Sequence, residues 1–329
     1  MPENEDIIEK IDATPTKRLF VDILTRDISV KACILDLIDN AVDSYINHEL
    51  EEKRQITINI FPEKFEILDT CGGIAKNLLR DEVFRFGVEE LENNKPTLGV
   101  YGIGLKRASL KLGKHISLIT DDGINYSEME LNVPQWLSIR GEDEWKIPFK
   151  EVSNSKLLQD DKPYTKISIS DLYPPIAEKF ILVSFLNELK EAIHITYTLF
   201  ITKYIDFNFN GQLVPPYEIL IRDDDQFKPA KIKDSFEDVS IEIICFIDKT
   251  KERRAKKEIG QRGWNIFCNN RLIMYEDTSI TTGWTGEKSD LPKYHPIFNE
   301  FRGIVFMSSN NPSRLPLTTT KTGLDTDTK

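Results

Sequence analysis

Three short motifs, in a fixed order along the first half of the chain, constrain its fold more than any other feature. Asp36 and Asn40 lie one helical turn apart in a segment, 29–50, whose apolar residues recur with the helical period. A strand-like segment then ends in an aspartate followed by paired glycines at 69–73, and a glycine-rich stretch at 99–104 leads into another helix. This succession of helix, strand and loop predicts an α+β fold.

The helix predicted over 29–50 carries Asp36, Asn40 and Asp43 on one face, with Asp39 close beside it and apolar residues opposite. From spacing alone, a solvated acidic face is the more common meaning of such a pattern. The functional alternative is a nucleotide site, in which Asn40 coordinates phosphate-bound Mg²⁺ and the carboxylate one turn earlier orients a water molecule.

Each of the two glycine-containing motifs, taken alone, is weak evidence for a nucleotide site. An aspartate at a strand end, here Asp69, suits a hydrogen bond from an exocyclic amine, and the glycines after it allow a sharp turn and a close approach. The same residues are also ordinary turn chemistry. The glycines at 99, 102 and 104 precede a helix and suit phosphate binding by backbone N–H groups, although the ending of a Walker loop is missing.

The order of these motifs, followed by a strand that begins near Thr165, resembles the GHKL ATPases, the superfamily of gyrase, the heat-shock chaperone, histidine kinases and MutL. The resemblance covers about the first 200 residues. It implies a two-layer α/β sandwich that binds ATP and Mg²⁺, followed by a smaller α/β transducer domain. We therefore predict an ATP-binding domain over 1–200, with a lid at about 76–105, and a transducer domain over 201–329.

The resemblance also implies a role for each matching position. Asp36 takes the place of the general base, Asn40 holds Mg²⁺, Asp69 reads the adenine amino group and Thr165 supports the adenine end. Further residues expected at the nucleotide, beside the base or in the lid that wraps the phosphates, are Gly73, Ile74, Gly99, Val100, Tyr101, Gly102, Ile103, Gly104, Leu105 and Lys106.

Two positions depart from the family pattern. The base is usually Glu, and Asp36 is one methylene shorter. A misplacement of about 1 Å can cost roughly 10²-fold in rate, so we expect slow turnover. Cys71 replaces the first glycine of the usual DNGxG box, although the second glycine is kept.

The branch of the superfamily follows from what surrounds the motifs. We expect no histidine kinase, because no phosphoacceptor helical hairpin fits before the helix at residue 29. The stretch 99–114 is similar to the lid and helix of MORC ATPases, and 263–274 with 316–325 resembles their second domain. By that match Lys321 senses the γ-phosphate, whereas the sequence alone favours a solvated lysine. The MORC resemblance implies an ATP-driven homodimer that acts as a clamp on DNA.

The distribution of charged residues indicates which kinds of partner the chain can bind. Lys and Arg number 43 against 54 Asp and Glu, and the net charge of −11 argues against a surface that binds nucleic acid or anionic membrane throughout. One basic run between two predicted strands suits phosphate contacts, with a solvated charged loop as the alternative. Its basic residues are Lys249, Lys251, Arg253, Arg254, Lys256 and Lys257.

The four cysteines lie far apart without a CxxC pair, which argues against a zinc cluster or a disulfide framework. With no apolar signal segment or membrane span, this predicts a cytoplasmic protein.

The predicted function is slow, Mg²⁺-dependent ATP hydrolysis that drives dimerisation, and a multi-gene prokaryotic defence or DNA-maintenance system is compatible with it. The alternatives are a non-catalytic ATP-gated binding module and a MutL-like or chaperone-like ATPase that binds client proteins.

Overall fold

The computed structural model of the chain describes residues 15–86, 95–100, 102–158, 161–219, 221–247, 262–286 and 291–326. Within these ranges the chain forms a larger and a smaller β-sheet, with helices packed on the larger one. This mixed architecture confirms the predicted α+β fold class. No helix in this part of the chain combines the length and apolar character needed to cross a bilayer. The four cysteines all lie in the described ranges and are free thiols.

The α-helices of the described ranges are α1 (Lys17–Arg26), α2 (Val30–Asn47), α3 (Lys76–Leu78), α4 (Gly104–Leu112), α5 (Val133–Ser138), α6 (Pro174–Phe180), α7 (Val183–Thr196) and α8 (Thr198–Lys203). A π-helical turn, Leu79–Val83, continues α3. Helix α2 begins where it does because the Ser29 hydroxyl accepts a hydrogen bond of 3.1 Å from the Ala32 N–H, which satisfies an otherwise unpaired donor of the first turn.

The strands of the larger sheet are β1 (Arg54–Ile60), β2 (Lys64–Asp69), β3 (Gly113–Asp121), β4 (Asn125–Asn132), β5 (Phe149–Asn154), β6 (Tyr164–Leu172), β7 (Ile205–Phe209) and β8 (Gln212–Val214). They lie in the order β5-β4-β3-β6-β2-β1-β7-β8. Burial alternates along β1, β2 and β7, so that one face of the sheet packs against helices that include α2. The buried side of α2, including Ile34 and Ile38, belongs to the same core.

The strands of the smaller sheet are β9 (Ala230–Phe236), β10 (Val239–Ile247), β11 (Gly263–Cys268), β12 (Arg271–Asp277) and β13 (Phe301–Ser308). Their order is β12-β11-β13-β10-β9. The turn between β11 and β12 holds Asn269 and Asn270 at positive φ, a conformation that asparagine tolerates better than most residues. This turn points at the larger domain and contacts it, as described below.

The predicted boundary near residue 200 falls inside α8, and the structure continues the first domain beyond it. Strand β7 pairs in parallel with β1, and β8 pairs with β7 across a turn at Asn210 and Gly211. The hairpin joins the larger sheet because alternate residues of β7, such as Phe207, fill the core beneath α2. Of the predicted lid at about 76–105, residues 87–94 and 101 lie outside the described residues.

Candidate functional site

The acidic face of α2 is largely buried. Asp36 is 2% exposed and Asp39 1%, while Asn40 beside them is exposed. Asp36 Oδ2 accepts a hydrogen bond of 2.6 Å from Nη2 of Arg107 on α4. Burial raises the pKa of Asp36 above its ordinary value, against the opposing charges of Lys321 and Arg107. Buried carboxylates with a raised pKa are typical of functional sites, and the interpretation as a solvated acidic face is excluded.

Asp39 connects the two sheets through three donors. Its Oδ1 accepts hydrogen bonds from the Tyr197 hydroxyl at 2.6 Å and from Arg271 Nε at 2.8 Å, and its Oδ2 accepts one from Lys321 Nζ at 2.7 Å. Burial disfavours the charge of Asp39, but Arg271 and Lys321 outweigh burial and hold its pKa below the ordinary value. Asp39 is therefore a buried anion with two cations, one from β12 of the smaller sheet and one from the loop after β13.

Lys321 reaches this cluster from the loop that follows β13. Its Nζ lies 4.0 Å from Asp36 Oδ1, and its side chain is 11% exposed. Its φ of +52° is supported by a hydrogen bond from its N–H to the Thr318 carbonyl and by another from Arg271 Nη1 to its own carbonyl, each 2.9 Å long. The interpretation of Lys321 as a solvated tail residue is therefore excluded.

The first residues of the glycine loop are held from two sides. The Asp43 carboxylate of α2 accepts hydrogen bonds from the N–H groups of Leu98 at 2.6 Å and Gly99 at 2.8 Å. From the β11–β12 turn, Asn269 Nδ2 donates to the Thr97 carbonyl at 2.9 Å. A Cβ atom at Gly99 would lie 2.9 Å from the Asp43 carboxylate, which explains the glycine at this position. The loop is thus anchored to α2 and to the smaller sheet together.

One cavity of about 40 Å³ lies where α2, the glycine loop, α4 and the Lys321 loop meet. It is lined by Asp36, Asn40, Gly99, Val100, Gly102, Ile103, Gly104, Arg107, Thr319 and Lys321. The structure therefore brings together the predicted base, the predicted Mg²⁺ ligand, most of the predicted lid loop and the predicted sensor lysine, which are far apart in the sequence.

A second cluster lies at the carboxyl end of β2, where Asp69 pairs with Thr165 in the register of β2 and β6. The Thr120 hydroxyl lies 3.1 Å from the Thr165 hydroxyl and accepts a hydrogen bond of 2.7 Å from the Ile74 N–H. The described residues give the Asp69 carboxylate one hydrogen bond, from the Cys71 N–H at 2.9 Å, and burial raises the pKa of Asp69 to about 7. A buried acceptor with so few partners suits an incoming amine.

Helix α2 contacts both clusters. Ser44, which follows Asp36 by eight residues on α2, donates a hydrogen bond of 3.0 Å to the Cys71 carbonyl in the second cluster. Eight residues of α-helix rise about 12 Å. The two contacts therefore lie about 12 Å apart along α2.

Lys106 points elsewhere, contrary to the prediction that it reaches the phosphates. Its Nζ donates to the carbonyls of Val83 at 3.0 Å and Arg85 at 2.5 Å, and burial lowers its pKa to about 8. These hydrogen bonds hold the ammonium group of Lys106 against residues 83–85. The neighbouring Arg107, and not Lys106, lines the cavity. Leu105 packs against the core of the larger domain.

Sequence reasoning missed Arg107, Tyr197 and Arg271 at the site. Arg107 follows the glycine loop directly, and its position one turn into a helix after a candidate phosphate loop is a signal that the sequence contains. The other two carry no local signal, because each acts through a contact with the distant Asp39. Two further predicted elements, Tyr101 and the basic run at 249–257, lie outside the described residues.

The residues present fit an Mg²⁺ ion that arrives with a nucleotide. Such an ion is held largely by phosphate oxygens and water, and it needs only one or two oxygen donors from the protein. The exposed side chain of Asn40 at the edge of the cavity offers one. Among the described residues no group of three or more His, Cys, Asp or Glu side chains could hold a metal on its own.

Gly73→Ala is expected to destabilise the protein and to prevent ATP binding. Gly73 has a φ of +70°, and a Cβ atom there would lie 2.1 Å from the Asp121 carbonyl oxygen, so the site backbone must move. The matched control is Gly211→Ala, with a φ of +78° and no atom within 4 Å of the added carbon. Gly211→Ala should lower the free energy of unfolding by about 1–2 kcal/mol, because alanine is strained in the left-handed backbone conformation even where no atom clashes. Urea denaturation and ATP titration measure both effects, and equal losses in the two variants would contradict the clash.

Asp69→Asn is expected to change how stability depends on pH. Because the folded protein raises the pKa of Asp69 to about 7, ionising this group costs stability as the pH rises from its ordinary value through 7. The amide cannot ionise and still accepts the Cys71 N–H. The variant should therefore gain unfolding free energy relative to the wild type between about pH 5 and about pH 8. Urea denaturation across this range measures the difference, and a difference that does not vary with pH would refute the prediction.

Comparison with known proteins agrees with this geometry. Residues 28–165 match a family described as histidine kinase-, DNA gyrase B-, and HSP90-like ATPase, so this segment carries a GHKL-type ATPase domain. Among solved structures, the chain is similar to the ATPase region of Saccharomyces cerevisiae topoisomerase II bound to ICRF-187 (dexrazoxane). The TM-score is 0.53 at 15% sequence identity, covering 89% of this chain and 77% of that chain, which shows a shared fold. A search of curated proteins found no match.

Proposed function

We propose that the chain binds Mg²⁺·ATP and hydrolyses it at the cavity between α2, the glycine loop and the Lys321 loop. The observation that carries this proposal is the convergence of Asp36, Asn40 and Lys321 on one cavity beside the glycine loop. Phosphoryl transfer depends mostly on positioning and charge stabilisation. A buried carboxylate, an oxygen donor and a buried cation supply both.

Each residue has a stated part in this proposal. Asp69 accepts a hydrogen bond from the adenine amino group, with Thr165 beside it, and the N–H groups of the glycine loop contact the phosphates. Asn40 would hold Mg²⁺, which neutralises phosphate charge when bound. Asp36 positions or deprotonates the attacking water, and Lys321 registers the γ-phosphate.

Phosphate release under multiple-turnover conditions tests hydrolysis. The competing function is a non-catalytic, ATP-gated binding module, and two observations favour it: the carboxylate is one methylene shorter than the usual Glu, and Arg107 occupies it. Steady release above background supports the enzyme. Release at background level, with ATP bound, supports the module instead.

We further propose that ATP binding drives homodimerisation, as in a MORC-like clamp. The supporting observation is that Lys321 and Arg271 extend from the second domain to the buried face of α2, so that nucleotide at this face can act on the second domain. Size-exclusion chromatography with light scattering tests the idea. The mass should double with a non-hydrolysable ATP analogue, and an unchanged mass would contradict it.

DNA is the partner that we propose for the clamp, in a cytoplasmic defence or DNA-maintenance system of several genes. The basic run at 249–257 stands out in an acidic chain and supports weak, salt-sensitive phosphate contacts. Gel shifts at low and moderate salt, with the wild type and with this run neutralised, test it. A shift that survives neutralisation removes the run from the proposal, and no shift at all favours a client protein, as in MutL-like or chaperone-like ATPases.

A further inference from the structure

We propose that Arg107 locks Asp36 in the nucleotide-free protein and then binds the terminal phosphate of a nucleoside triphosphate, so that the substrate itself releases the base. This inference rests on the proposed function and adds to it a residue that senses the triphosphate. It differs from the role given to Lys321 because Arg107 lies within the ATPase domain and contacts Asp36 directly.

Asp36 already has a charged partner, Arg107, in this structure. The bond of 2.6 Å between Arg107 Nη2 and Asp36 Oδ2 is short and charge-assisted, the stronger class of hydrogen bond. Both side chains are buried, so water screens the pair little. This contact opposes the rise in the pKa of Asp36 that burial causes, so Asp36 is a poorer proton acceptor with Arg107 in place than it would be without it. In this arrangement Asp36 is held back from acting as a base.

Arg107 itself is incompletely satisfied. Its side chain is 8% exposed, and among the residues that the structure describes its Nε has no hydrogen-bond partner. Its Nη2 donates to Asp36 and, at the longer distance of 3.2 Å, to the Thr319 carbonyl. A buried donor without a partner costs free energy. The planar guanidinium fork suits two parallel hydrogen bonds to a phosphate, so a phosphate group can satisfy Arg107 better than the present single carboxylate contact does.

Arg107 is placed where a phosphate bound at the glycine loop would lie. Arg107 lies in the first turn of α4, directly after the glycine loop, and lines the same cavity as Asn40 and Lys321. The cavity is lined by Asp36 together with the two cations nearest to it, Arg107 and Lys321. A terminal phosphate that enters must therefore compete with Asp36 for its cations.

The two buried aspartates differ in the partners that remain once a phosphate has taken over Arg107 and Lys321. Asp39 keeps Arg271 and the Tyr197 hydroxyl as partners even if Lys321 turns towards a phosphate. Asp36 has no such reserve among the described residues, since its charged partners are Arg107 and the more distant Lys321. Removal of these cations leaves a buried carboxylate with a raised proton affinity. ADP lacks the terminal phosphate and leaves the pair intact.

The test measures binding of a non-hydrolysable ATP analogue and of ADP by calorimetry. Arg107→Gln should weaken binding of the analogue by roughly 10- to 100-fold, the usual worth of hydrogen bonds to a charged group, with little change for ADP. Arg107→Lys keeps the charge without the fork and should recover part of the loss. The control is Lys111→Gln on the same helix, whose ammonium donates to the Thr25 carbonyl away from the cavity and whose loss should change neither affinity.

A second variant separates competition from simple structural support. Asp36→Asn removes the competing charge, so the analogue should bind more tightly than to the wild type, while ADP binding stays the same. The double variant Asp36→Asn/Arg107→Gln should lose this gain. An unchanged or weaker affinity for the analogue in Asp36→Asn overturns the lock, as does an equal loss of ADP and analogue binding in Arg107→Gln. If the wild type binds neither nucleotide, the proposed function itself fails.

Discussion

Asp36→Ala is expected to abolish ATP turnover while ATP still binds. A positioned general base contributes about 10²- to 10⁴-fold to the rate, so phosphate release should fall by at least the lower figure. Binding should persist because Asn40, the glycine loop and Lys321 remain in place around the cavity. Phosphate release and calorimetric ATP titration, made on the same preparation, measure the two effects separately.

The matched comparison for this variant lies on the same helix. Asn40→Ala should lose both binding and turnover, because it removes the oxygen donor proposed for Mg²⁺. Asn47→Ala, at the exposed carboxyl end of α2 and away from the cavity lining, should lose neither. If Asp36→Ala hydrolyses ATP like the wild type, Asp36 is not the base.

Arg271→Ala is expected to lower the free energy of unfolding by about 3–5 kcal/mol, the usual cost of leaving one partner of a buried ion pair without its counter-charge. Arg271 is 3% exposed and donates to Asp39, itself 1% exposed, at 2.8 Å. The variant also loses the hydrogen bond from Arg271 to the Lys321 carbonyl, so ATP turnover should fall with stability. Urea denaturation measures the free energy, and phosphate release measures turnover.

Another arginine of the second domain provides the control. Arg314 pairs with Glu237 at 3.1 Å, but both side chains are more than half exposed, so that water and salt screen the pair. Arg314→Ala should therefore cost less than about 1 kcal/mol. A loss of stability in Arg271→Ala no greater than in Arg314→Ala would show that the buried pair does not hold the two domains together.

The fold was predictable from the sequence where the signal is local. The helical period of 29–50 became α2, and the Asn210–Gly211 turn became the β7–β8 hairpin. The place of that hairpin in the larger sheet was not predictable, because an alternating pattern shows which face of a strand is buried but not which strand lies beside it. Strand β9 is exposed at every residue and charged at three of its seven positions, so its sequence gives only a weak strand signal.

The same limit applies to the candidate site. Asp36, Asn40 and the glycine loop could be named from motifs, because each motif is short and continuous in the sequence. The partners of the acidic helix could not, since Arg107 follows Asp36 by 71 positions and Arg271 follows Asp39 by 232. A single sequence does not record which distant charges meet. Lys321 was reached only through resemblance, and the structure places it between the two buried carboxylates.

The double anchoring of the glycine loop has a thermodynamic consequence. Asp43 holds the start of the loop to α2, Asn269 holds it to the smaller sheet, and Val100 within the loop packs in the apolar cluster of that sheet with Ile273 and Leu315. A ligand that shifts the loop must therefore also shift the smaller sheet. A partner that binds the smaller sheet and favours one position of the loop therefore changes the affinity for nucleotide. By thermodynamic linkage, nucleotide changes the affinity for that partner by the same factor. A partner of the second domain can thus be found by its effect on nucleotide binding alone.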